Sequence, residues 1–132
     1  MDSSAILPPE RLQLLSVQAL AHVGDGVYEL LARVRLCMRG VHTAGALHRE
    51  AVALVRCRAQ AEAARRILPA LTPGEERVFL RGRNAKLRPP KDADPADYGL
   101  ATGLECLLGH LYLSGEHDRV RYLFEMGLGI EG

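Results

Sequence analysis

Tryptophan is absent from the 132 residues, and four Tyr with two Phe bring the aromatic share to only 5%. That leaves too few rings for a single-strand nucleic-acid surface built on base stacking. Cysteine is scarce as well. Cys37, Cys57 and Cys106 are odd in number, widely spaced and never in a C-x-x-C pair, so neither a disulfide framework nor a zinc site is supported, and they read as small buried helix residues. Met1 to Pro9 is short and acidic, without the basic start and apolar run of a secretory signal. The longest apolar stretches are interrupted by Arg33, Glu105 or His110 well before the ~20 residues that a membrane span needs. A cytoplasmic protein without a membrane partner is the expectation.

Net charge is nearly lacking too, with 17 Lys plus Arg against 16 Asp plus Glu, a balance of +1. A protein basic all over is excluded. The balance is nevertheless an average over opposites: Arg33 to Lys91 holds fourteen basic and four acidic residues, and the remainder three basic and twelve acidic. Such a split suits a polyanion-binding face beside an acidic element, and solvated helix faces produce it as well. A hydrophobic share of 48% with 25% charged residues fits one packed domain spanning 1–132.

No segment alternates apolar and polar residues over a strand's length, and Leu and Ala dominate the apolar set, so the chain reads as all-α. About six helices are expected around one core. A short one follows Pro8-Pro9, with Leu12 and Leu15 inward. A long one runs from near Ser16 past Leu36 and ends at Gly40, carrying Leu20, Val23, Val27, Leu30, Leu31 and Val34 at three- and four-residue intervals. Ala44 to Leu68 is helix, continuous or broken near Arg56, and Pro69 ends it. Thr72-Pro73-Gly74-Glu75 has the form of a capping box, opening a helix to about Arg83. Asn84 to Asp94, with Pro89, Pro90 and many charges, is a loop of the length that usually serves function. Asp94 caps the next helix, which runs to about Leu113, and a last one spans roughly Glu116 to Met126.

Two acids look misplaced on these helices. Asp25 sits inside the long second helix between Gly24 and Gly26, each of which costs about 1 kcal/mol relative to alanine. Close helix crossing beside an acid would offset that cost. Glu105 lies in Leu104-Glu105-Cys106-Leu107-Leu108-Gly109, where a carboxylate is expensive unless paired or bound to a metal, and Gly103 and Gly109 again permit close approach. Each acid could simply cap a helix or pair with an arginine. The sharper reading is that the helices cross and bring both carboxylates to one hard cation. Mg²⁺ suits that arrangement, since one or two carboxylates, waters and substrate phosphate complete its shell.

Leu20-Ala21-His22-Val23-Gly24-Asp25-Gly26-Val27-Tyr28-Glu29 resembles the glycine-aspartate signature helix of ribonuclease III catalytic domains, and Glu105 to Leu113 is similar to their second acidic helix. The likeness is closer to the bacterial Mini-III ribonucleases, because Leu47-His48-Arg49-Glu50-Ala51, Ala59-Gln60-Ala61 and Arg81-Gly82-Arg83-Asn84-Ala85-Lys86 recur there too. The resemblance runs from about Leu15 to Leu113. It implies a ribonuclease III-like helical endonuclease domain and a dimeric, Mg²⁺-dependent endoribonuclease that cuts double-stranded RNA. In this family that activity trims the precursor of large-subunit (23S) ribosomal RNA and leaves 5′-phosphate and 3′-hydroxyl ends. Few residues follow the last helix, so a separate double-stranded-RNA-binding domain is not expected.

This chain departs from the larger enzymes at Ala21 and Thr102, where they carry further acids, a thinning that Mini-III shares and that implies a more hydrated cation. Asp25 and Glu105 are thus the expected catalytic and metal-holding residues. Glu29, one turn after Asp25, is either a third ligand or the partner of Arg33 in an i,i+4 pair. His22, one turn before Asp25, has no second His at ligand spacing and reads as an ordinary hydrogen-bonded histidine. Arg81, Arg83, Lys86, Arg88 and Lys91 meet no acid between them, and with Asn84 they form the expected RNA surface, since an A-form duplex is held through phosphates and 2′-hydroxyls. Arg56, Arg58 and Gln60 are a second candidate patch. Two alternatives stay open: a non-catalytic, ribosome- or RNA-associated module with the same fold, and an all-α module whose charge split serves a protein partner.

Overall fold

The computed structural model describes residues 5–129. Among these there are seven α-helices and no strand: α1 (Pro9–Leu12), α2 (Val17–Met38), α3 (Ala44–Val55), α4 (Cys57–Ile67), α5 (Pro73–Arg83), α6 (Pro95–Leu113) and α7 (His117–Gly127), with one 3₁₀ turn at Leu68–Ala70. The Ala44–Leu68 stretch is two helices. Arg56 is extended, with ψ 148°, and stands between them.

The caps follow the local chemistry. Ser16 Oγ accepts from the Ala19 amide at 3.0 Å, and Thr43 Oγ1 from the Ala46 amide at 3.3 Å. Thr72 and Glu75 form the reciprocal box, at 3.2 Å and 2.9 Å, and Asp94 accepts from the Asp97 amide at 3.3 Å. Glycine at positive φ turns the chain at Gly40 (96°) and Gly115 (84°), a conformation that side chains with a Cβ rarely adopt.

α6 is the central element. From Leu100 to Gly109 all its residues but Glu105 are buried, and α2, α4, α5 and α7 pack around it. Tyr28, Ala61, Ile67, Phe79 and Leu123 close the core from those neighbours onto Leu107 and Leu108 of α6. Tyr28 meets Phe124 edge to face, with ring centroids 5.1 Å apart. The N-terminal segment is strapped to the far end of α6, where the amides of Ile6 and Leu7 donate to Leu113 O at 3.0 and 3.1 Å. Arg119 on α7 donates to both carboxylate oxygens of Glu75 at 2.8 Å, fastening α7 to the start of α5. That pairing holds the Glu75 carboxyl below its ordinary range.

The cysteines divide by position, and one differs from expectation. Cys106 is buried and Cys57 half-buried, but Cys37 is exposed, because it falls on the outer face of the last turn of α2. All three are free thiols.

Candidate active site

The α2–α6 crossing is set by missing side chains. A Cβ on Gly24 would fall 1.7 Å from the backbone oxygen of Glu105, and one on Gly109 would fall 2.3 Å from that of Leu20. Only glycine permits backbones this close. The consequence is that Asp25, one residue past Gly24, stands beside Glu105. Gly103 plays the same part against α5, where a Cβ would lie 2.8 Å from Phe79 O. Gly26 is different, with nothing within 4 Å of the place its Cβ would take, so its cost is not offset inside the chain.

The carboxylates feel each other. Burial pushes the Glu105 carboxyl up to about 8, the negative charge of Asp25 and a hydrogen bond with it push the same way, and a hydrogen bond from Gln60 opposes them. Two acids so placed cannot both ionise without help. Among the described residues no group of three or more His, Cys, Asp or Glu is placed to hold a metal, so the donor set here is these two carboxylates. Two carboxylates that repel each other beside an open cavity fit Mg²⁺, which takes the rest of its oxygens from water and phosphate.

The acids open into a cavity of about 500 Å³, also lined by Ala21, His22, Arg88 and Thr102. Both thinned positions therefore face the site as neutral side chains. Thr102 turns its hydroxyl back to Tyr98 O at 2.8 Å. Gln18, Leu87 and Tyr98 complete the lining and are missed by sequence reading, although Gln18 and Tyr98 each lie seven residues before an acid and hence about two turns along the same helix face.

The other expected site residues scatter. Glu29 pairs with Arg33 at 2.5 Å and is outside the lining of the acid cavity. Arg88 reaches that cavity from the 84–94 loop. Arg83 and Asn84 line a separate recess with Arg65, and Arg56, Arg58 and Lys91 line another. Lys86 is exposed. Arg81 is turned the other way and donates to Leu15 O at 3.2 Å. Gln60 requires a correction: it is 3% exposed, because α4 presents it inward with Ala61 and Ala64, so it is not part of a surface patch with Arg56 and Arg58.

Known proteins share this chain's sequence pattern and fold. The Ribonuclease III domain family matches residues 18–116. The chain belongs to the ribonuclease III family, and it is an endoribonuclease of that type. Within the family its relatives are the Mini-III enzymes. It is 47% identical over 102 residues to Mini-ribonuclease 3 of Symbiobacterium thermophilum, covering 76% of this chain and 78% of that protein. It is 36% identical over 131 residues to Mini-ribonuclease 3 of Thermoanaerobacter sp., covering 98% and 92%. An X-ray structure of a protein from Fusobacterium nucleatum superposes with a TM-score of 0.76 at 23% identity, over 86% of this chain and 92% of that one, which shows the shared fold.

Proposed function

We propose that this endoribonuclease is Mg²⁺-dependent, cuts double-stranded RNA, works as a homodimer in the cytoplasm and matures the precursor of large-subunit (23S) ribosomal RNA. The observation that carries the reading is the Asp25–Glu105 pair, held together by Gly24 and Gly109 at the mouth of a cavity that a basic loop overhangs. No helix among the described residues is long and apolar enough to cross a membrane.

Asp25 and Glu105 would hold the cation. When bound, Mg²⁺ supplies Lewis acidity towards the phosphate oxygens. Arg88, on the rim of the same cavity, holds the scissile phosphate by charge. Water adds to phosphorus, the bond to the 3′ oxygen breaks, and a proton from that water ends on the 3′ oxygen. The products are a 5′-phosphate and a 3′-hydroxyl. Arg83, Asn84 and Lys86, with Arg56 and Arg58, hold the rest of the duplex through its backbone.

The test is cleavage of a structured duplex RNA with Mg²⁺ or with EDTA. Asp25→Asn and Glu105→Gln are expected to cut about a hundredfold more slowly or worse, the scale of several kcal/mol of lost transition-state stabilisation, while still binding RNA. Wild-type protein that binds the duplex without ever nicking it would favour the non-catalytic alternative, for which neutral Ala21 and Thr102 in the cavity are the supporting observation. Replacing Arg83 and Lys86 by Gln should weaken binding and lower the slope of log affinity against log salt by about one for each phosphate no longer neutralised. An unchanged slope would remove the loop from the interface.

A further inference from the structure

A second recess, of about 570 Å³, opens between the end of α4, the end of α5 and the start of α6. It has the make-up of a ligand pocket, largely apolar with a few convergent polar groups. Leu68, Leu80 and Leu100 supply apolar wall, and Arg65, Arg83 and Asn84 are its polar groups. No acid among the described residues lines it. Arg83 and Asn84 are exposed, and their side chains make no hydrogen bond or ion pair among the described residues. Arg65 donates to Asp97 at 3.0 Å, and Asp97 lines the neighbouring recess rather than this one. That bond steadies the guanidinium, which has further donors to spare. Gly99 lets the end of α5 lie close on α6, since a Cβ there would fall 3.2 Å from Arg83 O.

The recess adjoins the acids. α6 gives Gly99 and Leu100 to its wall and Tyr98 and Thr102 to the acid cavity, and the loop that starts at Asn84 carries Leu87 and Arg88 to the acids. Resting on the duplex-RNA reading above, we propose that this recess takes one unpaired nucleotide of the bound RNA, its phosphate between Arg65 and Arg83, its base against the leucines and Asn84 at the base edge. Two guanidinium forks match a phosphate. A carboxamide offers a donor beside an acceptor, the pattern by which an amide side chain reads a base edge. Apolar wall suits the face of a base that has left the stack, whereas a paired base keeps its faces inside the helix. A continuous duplex thus meets Arg65 and Arg83 through its backbone alone, and a duplex interrupted near the cut fills the recess as well.

Duplex RNAs of one sequence test this, one fully paired and the others with a single unpaired nucleotide moved stepwise away from the cleavage position. Their binding to the full-length protein is followed by fluorescence anisotropy in EDTA, and the readout is the ratio of bulged to paired affinity within each protein, which a general loss of binding does not move. In the wild type that ratio should reach about ten at one bulge position, within the range for a single bidentate base contact. It should return to about one when the unpaired residue is an abasic ribose. Ala96→Trp sets an indole into the recess from an exposed position at the start of α6 and should also bring the ratio to about one. Arg65→Gln should lower it in part, and decides alone should Ala96→Trp fail to fold. A wild-type ratio of about one at every bulge position overturns the proposal, and so does a gain that Arg65→Gln keeps in full. Adenosine 5′-monophosphate that shifts the Asn84 side-chain amide signal in ¹⁵N NMR, with no preference for any bulge, would give the recess to a free nucleotide and overturn it likewise. A wild type that binds and cuts the paired duplex with a flat ratio loses only the recess, whereas one that does not bind the paired duplex at all loses the duplex reading and this proposal with it.

Discussion

At the scale of single residues, the Glu105 carboxyl gives the sharpest consequence. Held up to about 8 by burial and by Asp25, it keeps its proton in the folded, metal-free protein over a range where the unfolded chain has released its own. The folded form therefore binds more protons between the ordinary value of 4.5 and about 8. Stability from this group is fully present below the ordinary value and is lost as pH rises through about 8. In EDTA, the thermal midpoint of the wild type should decline across that window. Glu105→Gln, which carries no titrating proton, should lose the decline, and two parallel melting curves against pH would show that the acids are not coupled. The same proton must leave when a cation binds, so Mg²⁺ should stabilise the protein more at alkaline than at acidic pH. A charge that looked merely misplaced in Leu104-Glu105-Cys106 is thus costly for a measurable reason.

At the scale of helices, the crossing of α2 and α6 is where sequence and site meet. Gly24→Ala must drive a Cβ into the backbone oxygen of Glu105, 1.7 Å away, and backbone has no rotamer by which to yield. A loss of at least about 3 kcal/mol is expected, the upper range for overpacking a filled site. Cleavage should fall with it, and chemical denaturation beside an RNA assay measures both. A variant as stable as wild type would mean that the helices do not cross there. This crossing was legible in the sequence because glycine inside an apolar helix is a local signal, as were the Thr72 box, the Asp94 cap and the end of α2 at Gly40. The break at Arg56 was legible only as an option, since no proline or glycine marks it and the extended backbone is imposed by how α3 and α4 pack. Gln60 was misplaced, and the bond of Arg81 to Leu15 O was not foreseen, for the same reason. Which way a side chain on a mixed helix turns depends on neighbours distant in sequence: α6 for Gln60, and the chain at Leu15 for Arg81.

At the scale of the whole molecule, one face of α2 remains to be explained. Leu30 (58% exposed), Val34 (46%) and Met38 (71%) stand in solvent, and Tyr122 on α7 is 55% exposed. Beside them Val23, Gly26, Val27 and Leu31 line a groove of about 490 Å³ that Tyr112 and Val120 close from the other side. Contiguous apolar surface of this kind marks an interaction site more often than chance exposure. Gly26 belongs to this groove and has open space where its Cβ would be, so the reason for a glycine there lies outside the chain. A second copy laid against the groove would supply it, as the proposed homodimer requires. Leu30→Glu would put a charge in the middle of that contact, and sedimentation should show a monomer with unchanged helix content and slower RNA cleavage. Gly26→Ala separates the two scales. In a protein that works as a monomer it should add about 1 kcal/mol of helix stability at no cost. In a dimer whose partner approaches this backbone it should weaken association, so that sedimentation finds monomer at protein concentrations where the wild type is dimeric. A wild type that sediments as a monomer at every concentration, with Gly26→Ala simply more stable, would end the dimer reading and leave the groove without a role in it.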